Sequence, residues 1–334
     1  MNPEAVARTD PARSSPAVVS QDGWTEAMRA GDFERAWAIS DHDLAYLCRM
    51  GPAKHTGPRH LQRIWRGEPL RDKRVLVRCY HGLGDTIQFV RFMPALRAVA
   101  REVTLWCQAE LLPLLARAEG VDRAMPLHDG TPDAGFDVDI EIMEVPHAIR
   151  AGNDLVAMRR PYLTLPGDDG RAAWRIGDGL AVGLVWEVGD WDKRRVIPAA
   201  LMRRLNGDGV RLYSLQQGPA AAQAPGIGAA DISTPDIGML GRTIKQLDLV
   251  VCVDTMIAHL AGALGCEAWV LLHSDCDWRW PASGDTTFWY PSLRLFHQPS
   301  PGDWSSLLEE VRLALVERAR TKGRNMRSPT DHRA

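Results

Sequence analysis

Two short stretches carry residue types that could do chemistry together. The first is Val75-Leu-Val-Arg-Cys-Tyr-His-Gly-Leu-Gly-Asp-Thr-Ile-Gln-Phe89. An apolar strand runs into a turn with Gly82 and Gly84, then Asp85, then a helix. Glycine suits a sharp turn because it tolerates positive φ. The free amides of such a helix start favour a negative ligand group. Asp85 would stand at the carboxyl end of a strand, where open α/β sheets bind ligands. It suits either of two roles, a general base or the N-cap of a helix opening near Thr86, and the local residues leave both open. No Gly-Lys-Ser/Thr follows, so this is not a P-loop. Ile87 stands where the dinucleotide fingerprint needs its third glycine, which argues against a nicotinamide-dependent oxidoreductase.

The second stretch runs from Asp248 through Asp254-Thr-Met-Ile-Ala-His259 to Gly265. A strand ends at Asp254 and a helix opens at once, with Asp254 or Thr255 as N-cap. The first-turn amides and the helix dipole would welcome a diphosphate. His259 lies one helical turn after Thr255, on about the same face. It could reach a phosphate or orient Asp254, although a lone histidine in such a helix is more often a packing residue. Between the two stretches, Trp186–Pro198 carries three consecutive cations. Lys193, Arg194 and Arg195 could neutralise a leaving diphosphate without a metal, or form a solvated basic loop. The pairs Asp137/Asp139 and Asp275/Asp277 have metal-binding spacing but read better as exposed carboxylates. The aromatic region from Cys276–Pro281 through Phe288–Pro291 suits ring stacking, though packing between domains is the commoner use.

These stretches need elements to hold them. The 334 residues suggest about two domains. From residue 74 strands and helices alternate, which predicts parallel sheets with helices on their faces. Strands are expected at 74–80, 103–107, 124–127, 136–143, 181–186, 210–215, 249–253 and 268–272. Helices are expected at 86–100, 111–118, 199–205, 240–247, 255–264 and 307–319. The rhythm restarts after a polar stretch at 167–179, where a domain boundary belongs. The expected organisation is a disordered leader over 1–20, a helical cap over 21–66, Rossmann-like domains over 67–175 and 176–322, and a disordered tail over 323–334. Within the cap, Trp24–Trp37 reads as a helix, a Gly-Asp turn and a second helix. One such pair is too short for a repeat array.

Net charge is −2, which does not favour a nucleic-acid partner. The Lys/Arg/His-rich segment 54–74 reads as a solvated face, with an acidic acceptor or peripheral membrane contact as the alternative. The six cysteines form no Cys-x-x-Cys pair and fit reduced thiols in a cytoplasmic protein. No run approaches the ~20 apolar residues of a membrane span.

Taken together, the chain resembles glycosyltransferase family 9, the ADP-heptose:lipopolysaccharide heptosyltransferase-like group. The likeness is to the branch often fused behind tetratricopeptide repeats, of which the helical cap looks like a remnant. The residues that carry it are Gly82–Phe89 with Pro94, Val182–Trp186, Arg195–Pro198, Ser214–Gly218, Asp254–Gly265, Asp277–Trp280 and Trp289–Pro291. The resemblance implies a GT-B fold, two Rossmann-like domains facing across a cleft, with the acceptor held by the first and the donor by the second. It implies inverting, metal-independent transfer of a sugar, such as a heptose, from a nucleotide diphosphate to an acceptor hydroxyl. No cofactor is implied beyond the nucleotide sugar as co-substrate, with an ADP-linked donor favoured. The acceptor would be a glycan, glycolipid or protein. Asp85 matches the base, with Gly82 and Gly84 in the acceptor-side loop. Lys193, Arg195, Gln216, Asp254, Thr255, Met256 and His259 match the donor side. Met256, Gln217 and the loop 187–193 depart from the family pattern. The alternative is a non-catalytic GT-B-like module that binds a sugar nucleotide or a protein partner.

Overall fold

The computed structural model describes residues 16–157, 160–165, 179–189 and 192–327. The polar stretch expected to separate the domains lies almost entirely outside them, as do residues 1–15 and 328–334. Helix α1 (Pro16–Ala30) begins inside the expected leader, and the last helix reaches Arg327, inside the expected tail.

Among the described residues every ladder is parallel. The first sheet contains β1 (Arg74–Arg78), β2 (Glu102–Cys107), β3 (Arg123–Pro126) and β4 (Val138–Glu141), in the order β3-β2-β1-β4. The second contains β5 (Leu180–Val185), β6 (Val210–Ser214), β7 (Ala230–Asp231), β8 (Leu249–Val253), β9 (Ala268–Leu272) and β10 (Leu293–His297). Its order is β10-β9-β8-β5-β6-β7. Strands covered on both faces must be apolar throughout, and β5, β8 and β9 are buried at every residue. In each sheet the order reverses beside the first strand, between β1 and β4 and between β5 and β8. A crevice opens at such a reversal, because successive connections leave in opposite directions. Both chemistry-bearing stretches leave strands at these points.

Helix α2 is Phe33–Arg49, capped by the Asp32 carboxylate, which accepts the Arg35 amide at 3.1 Å. Together α1 and α2 form the expected pair around a Gly31-Asp32 turn. The helix expected over 86–100 is two helices, α3 (Leu83–Phe89) and α4 (Met93–Val99), joined by a 3-10 turn. Pro94 explains the break: it lacks an N–H and is accepted only in the first turn of a helix. The first half closes with α5 (Leu112–Leu115), α6 (Val145–Ala148) and α7 (Asn153–Val156). The second half adds α8 (Ala199–Met202), α9 (Ala224–Ile227), α10 (Ile237–Gln246), α11 (Met256–Ala263) and α12 (Trp304–Arg327). Strands β7 and β10 were not anticipated; β7 is two residues long and β10 is a sheet edge.

One apolar core runs through both halves. It joins Ala27, Phe33 and Trp37 of the helical pair to Ile87 and Phe92, then to Leu260, Trp280 and Trp289. A second core lies against α12 and contains Trp186, Trp269, Phe296 and Leu308. Close approach holds the first core together. A Cβ on Gly262 of α11 would stand 2.3 Å from the Tyr290 ring, so only glycine fits there. No disulfide joins the six cysteines, and four of them are buried.

Candidate active site

Chain leaving β1 passes Cys79, Tyr80 and His81, then enters α3 through Gly82. Gly82 is an extended N-cap, with φ −69° and ψ 166°. Neither it nor Gly84 has the positive φ expected of the turn. Gly84 serves a different need: a Cβ there would meet the His259 ring at 2.8 Å and the Met256 Cα at 3.4 Å. The starts of α3 and α11, one from each half, therefore touch. Asp85 is also not the N-cap, because the helix begins two residues before it, at Leu83. It occupies the third helical position, and its Oδ2 accepts the Gly82 amide at 2.8 Å. That is the carboxylate half of a capping box.

The other oxygen, Oδ1, accepts from the Arg279 guanidinium across the interface. Arg279 also donates to Asp277 at 2.8 Å and to Gln88 at 2.7 Å, and stacks 4.4 Å over Trp278. Burial opposes its charge, but Asp85 and Asp277 outweigh burial and hold it protonated. Arg279 lay unassigned in the Asp-Trp-Arg-Trp string. Its signal was a lone cation among aromatics, and its partner in sequence is almost two hundred residues away.

On the second half, β8 delivers Asp254 buried, and Thr255 is the N-cap of α11. Its Oγ1 accepts the Ile257 amide at 3.2 Å. Arg195 reaches the Asp254 carboxylate at 3.3 Å and its carbonyl at 3.3 Å, and lies 4.0 Å from Asp277. Two carboxylates thus flank one guanidinium but titrate oppositely. Burial raises Asp254 despite Arg195. Asp277 is lowered, because Arg279 outweighs its burial. The Arg195 Nε is buried without a hydrogen bond among the described residues, 3.8 Å from the Asp192 carboxylate.

The two halves enclose a cleft of about 1080 Å³. Asp85, Gly82, Gly84, Arg195, Gln216, Asp254, Thr255, Met256 and His259 all line it. Lys193 does not; it is exposed, beside Arg194, which pairs with Asp192 and Asp275 at 2.9 Å each. Gln216 lines the cleft with its amide fully used. Its oxygen accepts the Trp186 and Glu187 amides at 3.1 and 3.0 Å, and its nitrogen donates to the Glu187 and Gln217 carbonyls. It shapes the loop after β5 and has little left for a ligand. His259 is held by Tyr290 at 2.9 Å and stacks 5.7 Å from Trp280. Burial and three nearby arginines push it well below its ordinary range, so it is neutral.

The Asp-x-Asp carboxylates are bound to arginines. Asp137 pairs with Arg74, Asp139 with Arg78, Asp275 with Arg194 and Asp277 with Arg279. No cluster of three or more potential metal ligands occurs among the described residues. No helix among them is long and apolar enough to cross a membrane.

The geometry matches known folds. A glycosyl transferase family 9 protein from Veillonella parvula superposes with a TM-score of 0.52 at 12% identity, over 76% of this chain and 99% of that one. E. coli heptosyltransferase WaaC with ADP gives 0.52 at 13%, over 74% and 100%. E. coli ADP-heptose lps heptosyltransferase II gives 0.52 at 15%, over 73% and 99%. The chain has the fold of the family 9 glycosyltransferases. In sequence, Protein FlbA of Caulobacter vibrioides is 25% identical over 354 residues, covering 93% of this chain. The chain spans 58% of the length of that curated relative. No family model matches the chain. In the family 9 fold, the cleft described above lies between the two Rossmann-like halves.

Proposed function

We propose that this chain is an inverting, metal-independent glycosyltransferase. It would move a sugar from a nucleotide-diphosphate donor to the hydroxyl of a glycan, glycolipid or protein. The observation that carries this reading is the meeting of two helix starts in one cleft. One start brings a carboxylate, Asp85; the other brings Thr255, the positive end of the α11 dipole and Arg195. Asp85 takes the acceptor proton as the oxygen attacks the anomeric carbon, a contribution of about 10²–10⁴-fold. The leaving diphosphate is met by the start of α11 and by the Arg195 guanidinium, both of which line the cleft. Since WaaC is seen with ADP, an ADP-linked donor is the first to test. Residues 67–175 would hold the acceptor and 176–322 the donor. Cysteines that form no disulfide fit a cytoplasmic enzyme.

The Asp85–Arg279 pair favours one other reading. With both its oxygens engaged, Asp85 could serve only to lock the halves together, in a module that binds a sugar nucleotide or partner without turning it over. A thermal-shift screen against ADP-, GDP-, UDP- and dTDP-sugars identifies the donor, since ligand at 100 times its Kd stabilises by about 2.7 kcal/mol. Release of the nucleotide diphosphate from that donor then separates enzyme from module. Turnover should survive EDTA; loss on chelation with recovery in Mg²⁺ would overturn the metal-independent mechanism.

A further inference from the structure

Beside Asp85 the cleft holds a second acid–base pair. The sheet order sets β4 next to β1, with Glu141 level with Arg78. The end of β4 therefore lies under the chain that leaves β1. Glu141 is 1% exposed, and its carboxylate is fixed by the Tyr80 amide at 3.2 Å and the Met143 amide at 2.7 Å. Its Oε1 meets the His81 Nδ1 at 2.9 Å. The His81 imidazole lines the cleft with its side chain 23% exposed. With Nδ1 turned to the buried carboxylate, Nε2 lies on the cleft side. It has no hydrogen bond among the described residues.

A buried carboxylate on one imidazole nitrogen, with the other facing a site, is the arrangement that sets a histidine's tautomer and makes it a proton acceptor. We propose that His81, held by Glu141, completes the base of this site and receives at Nε2 the proton that Asp85 draws from the acceptor hydroxyl. The reading rests on the transferase function proposed above. As the hydroxyl oxygen bonds to the anomeric carbon, the bond from that carbon to the phosphate oxygen breaks. Its electron pair leaves with the nucleotide diphosphate. The hydroxyl proton passes to Asp85 and on to His81, which returns Asp85 to the carboxylate that pairs with Arg279.

The charged groups around His81 come from three elements: Glu141 at the end of β4, Asp85 on α3, and Arg63 in the segment before β1. Burial pushes the imidazole down, but Glu141 and Asp85 outweigh burial and Arg63, and the net direction is up. A base must be unprotonated, so turnover should rise with pH through this raised value.

Two measurements test the proposal on the full chain. The first is a histidine-labelled NMR titration, with the His81 signal assigned by its absence in His81→Gln. We expect the Nδ1–H tautomer and a titration above the ordinary histidine range, moving down in Glu141→Gln. The Nε2–H tautomer, or a titration that Glu141→Gln does not move, would overturn the dyad. This arm needs no nucleotide sugar, so its result stands apart from the fate of the transferase reading. The second arm follows release of ADP from ADP-heptose. His81→Gln should lower kcat 10–100-fold with KM little changed and abolish the acidic limb of the pH profile. Glu141→Gln should shift that limb to lower pH. A limb that persists in His81→Gln would refute the role.

Discussion

The turns after β1 and after β8 start alike and end differently. Both leave a buried strand at a reversal of sheet order, and both enter a helix that faces the cleft. After β1 the acid lies inside the helix, at Asp85, and its carboxylate is turned back over the helix start. After β8 the acid, Asp254, comes before the N-cap and is 5% exposed, beneath Arg195. The first turn thus presents ionisable side chains, Asp85 and His81. The second buries its carboxylate and presents backbone amides and a guanidinium. A shift of the acid by a few residues relative to the helix start thus separates the two roles proposed above, proton transfer at the first turn and phosphate binding at the second. Contact between the two turns is possible only because Gly84 lets α3 reach α11.

Breaking the link between the turns should have the largest effect. Arg279→Met leaves Asp85 and Asp277 without their shared cation in a largely buried setting. Loss of one partner from such a network costs about 3–5 kcal/mol. Urea unfolding should show that loss, and a cost under ~1 kcal/mol would mean that the pair does not bind the halves together. Next is the chemistry of the first turn. Asp85→Asn should retain donor affinity while lowering turnover at least ~10²-fold. Asn accepts an amide hydrogen bond as Asp does, so a near wild-type rate would reduce Asp85 to a helix-start residue.

The second turn is tested through its cation. Arg195→Ala should weaken nucleotide-diphosphate binding by about 1.5–3 kcal/mol, measured by calorimetry, the range of a hydrogen bond to a charged group. Unchanged affinity would move the diphosphate elsewhere. The smallest effect is local. Thr255→Ala removes the cap that accepts the Ile257 amide and should cost about 1 kcal/mol of stability. If it also cuts turnover strongly with no loss of nucleotide affinity, Thr255 does more than cap.

Most of the scaffold was legible along the chain. Among the described residues, apolar runs bounded by glycine and charge marked eight of ten strands, most plainly β5, β8 and β9, because a strand buried on both faces has few other compositions. The exceptions are β7, which is two residues long, and β10, whose apolar run is broken by Arg294 and ends at His297. The break at Pro94 was also available, since it follows from the missing N–H. Within the site, Asp85, Arg195, Asp254 and Thr255 stood out because strand-end motifs carry their own local geometry. Lys193 did not follow Arg195 into the cleft, because two residues along a 3-10 turn can face opposite ways.

By itself the sequence determined two parallel α/β halves, the turns that end their central strands, and the helical pair before them. Those features depend on neighbours within about twenty residues, through periodicity, capping and glycine. The partners of the chemical groups were decided only in three dimensions. Arg279 meets Asp85 across the domain interface, and His81 meets Glu141 because β4 lies beside β1 rather than after β3. Strand order and domain docking are set by the burial of whole surfaces, which no local spacing encodes. A carboxylate's partner, and with it the use of that carboxylate, therefore follows from the fold.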